Sequence, residues 1–297
     1  MNCLVLGGAG FIGRHLCAAL VAAGHQVRAF DLPAAVATPI CPSIPGASWV
    51  AGDMTRIDRS AALLDGVELI FHLVSTTLPS TSNLNPRRDL DENVAATLHL
   101  LDLIIAQPVS PKIIFLSSGG TVYGVPETIP IPEEHPTDPL CAYGIGKLAI
   151  EKYLALYRHL HGLDYRILRL ANPYGPRQPL GRGQGVIPVF LFNALHRKPL
   201  ELWGDGSVVR DYLYIDDLCG ALLAALNYRG GKRIFNIGSG QGHSLNALID
   251  IICQALEVKI EPVYLPGRAC DVPRNILNIQ RAKQELGWQA ETSLADG

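Results

Sequence analysis

Tyr143 and Lys147 stand four residues apart at the head of an apolar-periodic stretch that reads as a helix continuing to about His161. On a helix, positions i and i+4 share a face. A positive charge beside a phenol favours the phenolate, and a phenolate near neutral pH is a usable general base. The plain alternative is two surface residues of one helix, since such a pair marks a site only in the right surroundings. Those surroundings begin just upstream. The run Ser117-Ser118-Gly119-Gly120-Thr121-Val122-Tyr123-Gly124 is rich in hydroxyls and follows an apolar strand, Lys112 to Leu116. Loops at the carboxyl ends of parallel strands are where open α/β sheets bind ligands.

The elements that must carry these residues start at the first residues of the chain. Cys3 to Leu6 is a short apolar run that reads as a buried parallel strand. It runs into Gly7-Gly8-Ala9-Gly10-Phe11-Ile12-Gly13, followed by a helical pattern from Arg14 to Ala23 and a second strand, Gln26 to Phe30, that ends in Asp31. Glycines allow a tight turn and a close backbone approach to a pyrophosphate, which the free N–H groups of the helix start then meet. Asp31 would accept hydrogen bonds from an adenosine ribose diol and repel a 2′-phosphate, so the unit predicts NAD over NADP. A bare strand–helix turn does not account for Asp31.

A proline-rich loop spans Leu32 to Pro45. Trp49 to Asp53 reads as a third strand; Asp53 either reaches an adenine edge or caps a helix over Ile57 to Leu64. Leu69 to Val74 is the fourth strand and leads into the polar loop Ser75-Thr76-Thr77-Leu78-Pro79. His72 in that strand reads as a core or strand-end histidine, because no second ligand sits at metal spacing. A long helix is predicted from Pro86 or Asp89 to Ala106, then the Lys112 strand, a proline-rich loop from Pro126 to Pro139, the Tyr143 helix, and a sixth strand at Tyr165 to Leu170. Six strands alternating with helices predict an α/β fold with a Rossmann-type doubly wound parallel sheet.

After Ala171 the elements shorten. Leu180 to Gly185 reads as a flexible glycine-rich loop, Val208 to Tyr214 as a strand before an apolar helix, Ile215 to Leu226, and Phe235 to Gly238 as a further strand. We read two interleaved units: residues 1–172 with about 208–239 as the NAD-binding domain, and 173–207 with 240–297 as a smaller C-terminal α/β substrate domain. The chain stops at Asp296-Gly297 within an element, which implies a further C-terminal piece.

Composition narrows the class. With 18% charged residues, a net charge of −2 and scattered basic residues, neither nucleic acid nor a membrane surface is an expected partner. No stretch reaches the length of an apolar membrane span, and the apolar start lacks the basic leader and cleavage site of a signal peptide. The seven cysteines are odd in number, irregularly spaced and free of Cys-x-x-Cys. They predict no disulfide framework and no metal site, and fit a reducing, cytoplasmic setting. Cys141, beside the tyrosine, reads as a small filler.

Together these motifs resemble the extended short-chain dehydrogenase/reductase superfamily, in its NAD-dependent nucleotide-sugar epimerase/dehydratase group. The resemblance rests on Gly7-x-x-Gly10-x-x-Gly13, Gly52-Asp53-Met54, Ser117 to Gly124, Tyr143-x-x-x-Lys147 and Arg169-x-x-Asn172-x-Tyr174-Gly175-Pro176-Arg177. It extends to Gly204-x-Gly206-x-x-x-Arg210-Asp211, and to Arg268-x-x-Asp271 with Leu286-Gly287-Trp288. It implies that Tyr143 is the acid/base and that Lys147 holds the nicotinamide ribose while lowering the tyrosine's pKa. Implied NAD contacts are Gly7, Gly10, Phe11, Ile12, Gly13, Asp31, Asp53, Met54, Leu73, Val74, Ser75 and Asn93, with Tyr143 and Lys147. Implied substrate contacts are Ser118, Gly119, Tyr143, Asn172, Val186, Arg210, Arg268 and Asp271. Asn172, Arg210 and Arg268 would grip a nucleotide diphosphate, for which guanidinium forks are suited.

The same resemblance selects a reaction. The dehydratase and decarboxylase branches carry carboxylates before Val-Tyr-Gly; here Gly119, Gly120 and Thr121 stand there. The epimerase branch needs no second acid, so the implied activity is inversion at C4 of a UDP-hexose, UDP-N-acetylhexosamine or UDP-uronic acid through a 4-keto intermediate. The alternatives are a nucleotide-sugar reductase or dehydratase and, more remotely, an NAD-binding regulator. The branch's usual serine is replaced by Gly119; Thr121 or Ser118 would supply the hydroxyl, with Thr121 slightly favoured. Asn275 holds the place that limits room near an N-acetyl group. A homodimer through the helices near Leu90–Ala106 and Ala149–His161 is implied by resemblance alone, since their apolar stripes could equally face the sheet.

Overall fold

The computed structural model describes residues 1–37, 44–57, 62–180, 185–266 and 272–297. Seven parallel strands form the main sheet. In chain order they are β1 (Asn2–Leu6), β2 (Gln26–Asp31), β3 (Ala47–Ala51), β4 (Leu69–His72), β5 (Lys112–Ser118), β6 (Tyr165–Leu170) and a late strand, Ile234–Ile237. Their spatial order is β3-β2-β1-β4-β5-β6 with Ile234–Ile237 outermost, so the predicted six-stranded sheet gains a seventh strand from the far end of the chain.

Apolar residues run on continuously because both faces are covered. In β1, Cys3 and Val5 face the layer made by the helices Phe11–Ala22 and Ile215–Asn227, where Leu16, Leu20, Leu218 and Leu222 pack. Leu4 and Leu6 face the opposite layer, with Leu100, Leu101, Ile104, Ile150 and Leu154 from the helices Ala96–Ile105 and Ala142–His161. The period of two along the strand sorts the two sets. Each fully buried leucine contributes about 1.5–3 kcal/mol.

The long helix predicted before Lys112 is made of three pieces: an α turn at Pro86–Asp89, a π turn at Leu90–Ala95 and the α-helix Ala96–Ile105. The predicted helix over Ile57 to Leu64 is absent from the described residues. A 3-10 turn, Met54–Arg56, stands before it and another at Ala62–Leu64, while residues 58–61 lie outside the description. Residues 38–43 of the Leu32 loop and 181–184 of the Gly185 loop also lie outside it.

A second, mixed sheet is built around β9 (Val209–Tyr214), preceded in the chain by β7 (Asn172–Tyr174) and by β8 (Leu200–Trp203). Strands β7 and Arg274–Asn275 pair with β9 in parallel, and Gly242–Ser244 pairs antiparallel. Strand β9 therefore belongs to the small sheet. The helix Ile215–Asn227 and the strand Ile234–Ile237 return the chain to the large sheet. The small unit has its own core of Phe190, Leu200, Leu202, Tyr212, Leu248 and Ile252. Asp211, in β9, stitches the two units together. It is fully buried and accepts from Ser239 N at 2.8 Å, Ser239 Oγ at 2.7 Å, Gly240 N at 3.2 Å and Leu277 N at 3.3 Å. Among the described residues no helix is long and apolar enough to cross a membrane.

Candidate active site

The glycine turn sits where β1 meets the helix Phe11–Ala22. Gly7 adopts φ +85°, a left-handed conformation, while its N–H and that of Gly8 bond to Phe30 O at 2.9 and 3.1 Å. At Gly13 the need is space: a Cβ there would overlap the Gly7 carbonyl oxygen. The helix begins without a side-chain cap, so its first N–H groups stay free for an anion. Asp31 closes the turn from β2, accepting from Ala9 N at 2.9 Å and Leu32 N at 2.8 Å. A carboxylate has about four acceptor sites, so a ribose diol can still be received. A backbone cradle that excludes a Cβ, a free helix start and an acid in register fit a dinucleotide.

Other predicted cofactor residues fall into two groups. Gly7, Gly10, Phe11, Ile12, Gly13, Leu73 and Ser75 line one cavity of about 290 Å³, together with Tyr143, Lys147, Ser118 and Asn172. Val74, Asp53, Met54 and Asn93 are not among its lining residues. Asp53 caps its own 3-10 turn, accepting from Thr55 N at 2.9 Å and Thr55 Oγ1 at 2.8 Å, and these bonds hold its carboxyl below the usual range. Met54 packs into the core beside Phe30 and Ile57. Asn93 is a brace: its Oδ1 accepts from Thr76 N at 3.0 Å and its Nδ2 bonds to Asp89 O at 3.0 Å, fixing the loop after β4. His72 is buried against Thr97 Oγ1 at 2.9 Å, and burial pushes it down to about 3, so it is neutral core.

The helix Ala142–His161 is gripped at its start by Asn83, whose Oδ1 accepts from Ala142 N at 2.8 Å. Lys147 Nζ donates to Leu116 O at 3.0 Å and lies 5.6 Å from the centre of the Tyr143 ring. Burial lowers Lys147 to about 8, against the opposing pull of Asp89 and Glu151. Burial raises Tyr143 well above the usual phenol range, aided by Cys141 and Asp89 and opposed by a hydrogen bond from Ser75. The expected acidification of the phenol by Lys147 therefore does not prevail in the protein alone: desolvation of both groups outweighs it.

One turn beyond Lys147, Glu151 lies on the same face. It pairs with Arg169 through bonds of 2.6–3.2 Å and accepts from Ser117 Oγ at 2.5 Å. This buried pair ties the helix to the ends of β5 and β6. The row of positions 143, 147 and 151 was available in the spacing alone.

Of the two hydroxyls weighed for the place left by Gly119, Ser118 lines the cavity with Tyr143 and Lys147, and Thr121 does not. The Thr121 Oγ1 is buried without a partner among the described residues, and its carbonyl backs onto Gly144. The reason for Gly119 itself lies far away in sequence. A Cβ at 119 would lie 2.6 Å from Leu277 Cδ1, so Leu277, fully buried, fills the room a serine would take. Asn275 donates from Nδ2 to Gly119 O at 3.1 Å; it braces the loop and lines neither cavity.

A second cavity of about 270 Å³ adjoins the first at Asn172, Pro173, Gln178 and Gly185. Asn172, Val186 and Arg210 line it, and Tyr212, Trp203 and Gln178 join them without having been singled out from sequence. Tyr212 Oη and Gln178 Oε1 are buried and have no hydrogen-bond partner among the described residues. Arg210 Nη1 bonds to Val209 O at 2.9 Å and Val272 O at 2.7 Å, and Asn172 Nδ2 to Asp211 O at 3.0 Å. Arg268 and Asp271 lie outside the described residues. Among the described residues, no Asp or Glu lines the first cavity and only Glu201 lines the second.

Comparison with known proteins gives consistent results. A family model described as the NAD dependent epimerase/dehydratase family matches residues 3–238. A protein of Methanocaldococcus jannaschii named putative UDP-glucose 4-epimerase is 37% identical over 296 residues, covering 99% of this chain and 95% of that one. An Escherichia coli dTDP-4-dehydro-6-deoxyglucose reductase is 35% identical over 309 residues, covering 99% and 94%. The crystal structure of Thermotoga maritima UDP-glucose 4-epimerase with UDP-glucose superposes with a TM-score of 0.93 at 36% identity, covering 100% and 96%.

Proposed function

The chain belongs to the NAD dependent epimerase/dehydratase family, and on that premise we propose that it is an NAD-dependent enzyme that inverts C4 of a UDP-activated sugar. One observation carries the choice of reaction. Tyr143, Lys147 and Ser118 face a single cavity whose described lining holds no carboxylate. Elimination of water or loss of carbon dioxide needs a second proton carrier beside the sugar; inversion does not.

In the proposed mechanism Tyr143, as phenolate, removes the proton of the sugar 4-hydroxyl. Ser118 Oγ bridges that hydroxyl and the phenol. NAD, held by the glycine turn and Asp31, would supply a reversible hydride acceptor for C4 and a positive charge that favours phenolate. The 4-hydroxyl carbon becomes a carbonyl, the sugar turns about its diphosphate, and Tyr143 gives the proton back as the alcohol re-forms. Lys147, held by Leu116 O, positions the ribose hydroxyls and offsets the phenolate charge. Arg210 and Asn172 hold the diphosphate in the second cavity, which gives the swinging sugar a fixed pivot. Arg268 is assigned to the same grip, and Asp271 to the substrate beside it.

The sugar is a hexose, an N-acetylhexosamine or a uronic acid. The test is to incubate purified protein with UDP-glucose, UDP-galactose, their N-acetyl forms and the UDP-uronic acids, and to follow C4 configuration by NMR. No inversion of any of them would sink the assignment. Stoichiometric consumption of added NAD(P)H would instead favour a reductase, the activity named for the Escherichia coli relative.

We further propose a homodimer. Ile145, Leu156 and Leu160 on the helix Ala142–His161 are 57%, 44% and 59% exposed, an apolar face that a second copy would cover. Sedimentation at micromolar concentration reads the outcome directly. A cytoplasmic location is supported by the free state of Cys3, Cys17, Cys141, Cys219 and Cys253.

A further inference from the structure

Asp89 stands behind the wall of the cleft, and the reaction as derived gives it no task. It ends the turn Pro86–Asp89 and is 2% exposed. Its carboxylate accepts from Thr77 Oγ1 and, at 3.3 Å, from Asn93 Nδ2. The arginines beside it turn elsewhere, Arg87 to Asp91 and Arg88 to Glu92. A buried carboxylate held by neutral donors is costly. A fold that needed only the hydrogen bonds would be served as well by asparagine.

Two contacts show where the charge acts. A Cβ on Gly146 would lie 3.0 Å from Asp89 Oδ2, so the carboxylate abuts the catalytic helix at the residue preceding Lys147. Thr77, its hydrogen-bond donor, lines the cleft with Ser75, and the intervening Thr76 N is held by Asn93 Oδ1 at 3.0 Å. We propose that Asp89 is a positioning residue for the reaction: its buried charge steadies the Lys147 ammonium beside Tyr143, and its bond to Thr77 pins the Ser75–Thr77 loop against that pair. This rests on the reading of Tyr143 and Lys147 given above.

The electrostatic consequence is specific. Asp89 favours the Lys147 cation and disfavours the Tyr143 anion. Lys147 also faces Glu151 on its own helix, which is paired with Arg169, and His72 on β4, which is neutral; Tyr143 also feels Cys141. Removing the charge at Asp89 should therefore move the ionisations of Lys147 and Tyr143 in the same direction, to lower pH.

The test is Asp89→Asn, which keeps an acceptor for Thr77 and loses the charge. Lys147 is titrated by NMR on protein carrying ¹³C-lysine, its signal assigned with Lys147→Arg. The midpoint is expected about one pH unit lower in Asp89→Asn than in the wild type. Asp89→Glu should restore it, and the kcat/KM profile of Asp89→Asn should slide to lower pH as a whole. A purely structural acid would lower the rate at every pH and leave the Lys147 midpoint in place, which overturns the proposal. If the wild type inverts no sugar while the midpoint still moves, the assigned reaction fails and the electrostatic role of Asp89 stands. Should Asp89→Asn not fold, Thr77→Val decides: loss of one hydrogen bond to a charged group is expected to lower kcat/KM about tenfold without lowering the Lys147 midpoint. An unchanged kcat/KM in Thr77→Val overturns the proposal.

Discussion

The large sheet and the small sheet place their functional side chains by different means. In the large sheet every strand points the same way, so the carboxyl ends of β1, β4 and β5 deliver Gly7, Ser75 and Ser118 to one edge. Parallel pairing and covering helices suffice for that. In the small sheet, β9 gathers three short strands drawn from residues 172–174, 242–244 and 274–275. Nothing local dictates that gathering. It depends on Asp211 receiving donors from Ser239, Gly240 and Leu277 at once. One side of the cleft is fixed by repetition of a unit, the other by long-range contacts, and the reacting residues lie where the two meet.

Substitutions can break or sharpen that contrast. The largest effect belongs to the meeting point: Tyr143→Phe should lower kcat about 10²–10⁴-fold while the protein keeps its fold and its NAD. Steady-state kinetics with the cofactor content of the purified protein checks both halves. On the repetitive side, Gly13→Ala puts a methyl onto the Gly7 carbonyl and should cost about 1–3 kcal/mol of stability, with NAD lost on purification. Retention of NAD at wild-type stability would mean that the turn is not held as described.

The next effect uses pH. Lys147 is lowered from 10.5 to about 8 by burial, so between those values the unfolded chain keeps a proton that the folded chain has released. Its contribution to unfolding free energy must then rise with pH across that window. Relative to Lys147→Met, the wild type should gain on the order of 2 kcal/mol from pH 8 to 10 in denaturant titrations; a flat difference would show that the ammonium is not buried. The smallest effect probes the long-range side. Gly119→Ser should cost about 1–2 kcal/mol, and Leu277→Val should recover about 1 kcal/mol of it by vacating the Cδ positions. Strict additivity of the two changes, read from thermal midpoints, would separate positions that the structure joins.

What could be read from the sequence follows the same division. The glycine turn, Asp31, the parallel strands and the Tyr143 helix were visible because each rests on a short-range period or spacing. The position of Ser118 over Thr121 was not: Ser118 ends β5 and Thr121 stands in the turn after it, and only the path of the chain there decides which hydroxyl meets the cleft. The bracing bond of Asn93 and the core packing of Met54 depend on distant segments and were not visible from spacing. Burial likewise reversed the expected acidity of Tyr143, because the strength of a neighbouring charge is legible from spacing and the loss of water is not. Phe235 to Gly238 was legible as a strand of the NAD-binding unit, but no local signal gives its pairing with β6.

The contact between Gly119 and Leu277 also makes the order of substitution matter. A side chain placed at 119 first meets a filled site, whereas one placed after position 277 has been made smaller meets an open one. Of the two single-step routes to the same double variant, only the one through a smaller residue at 277 avoids an overpacked intermediate.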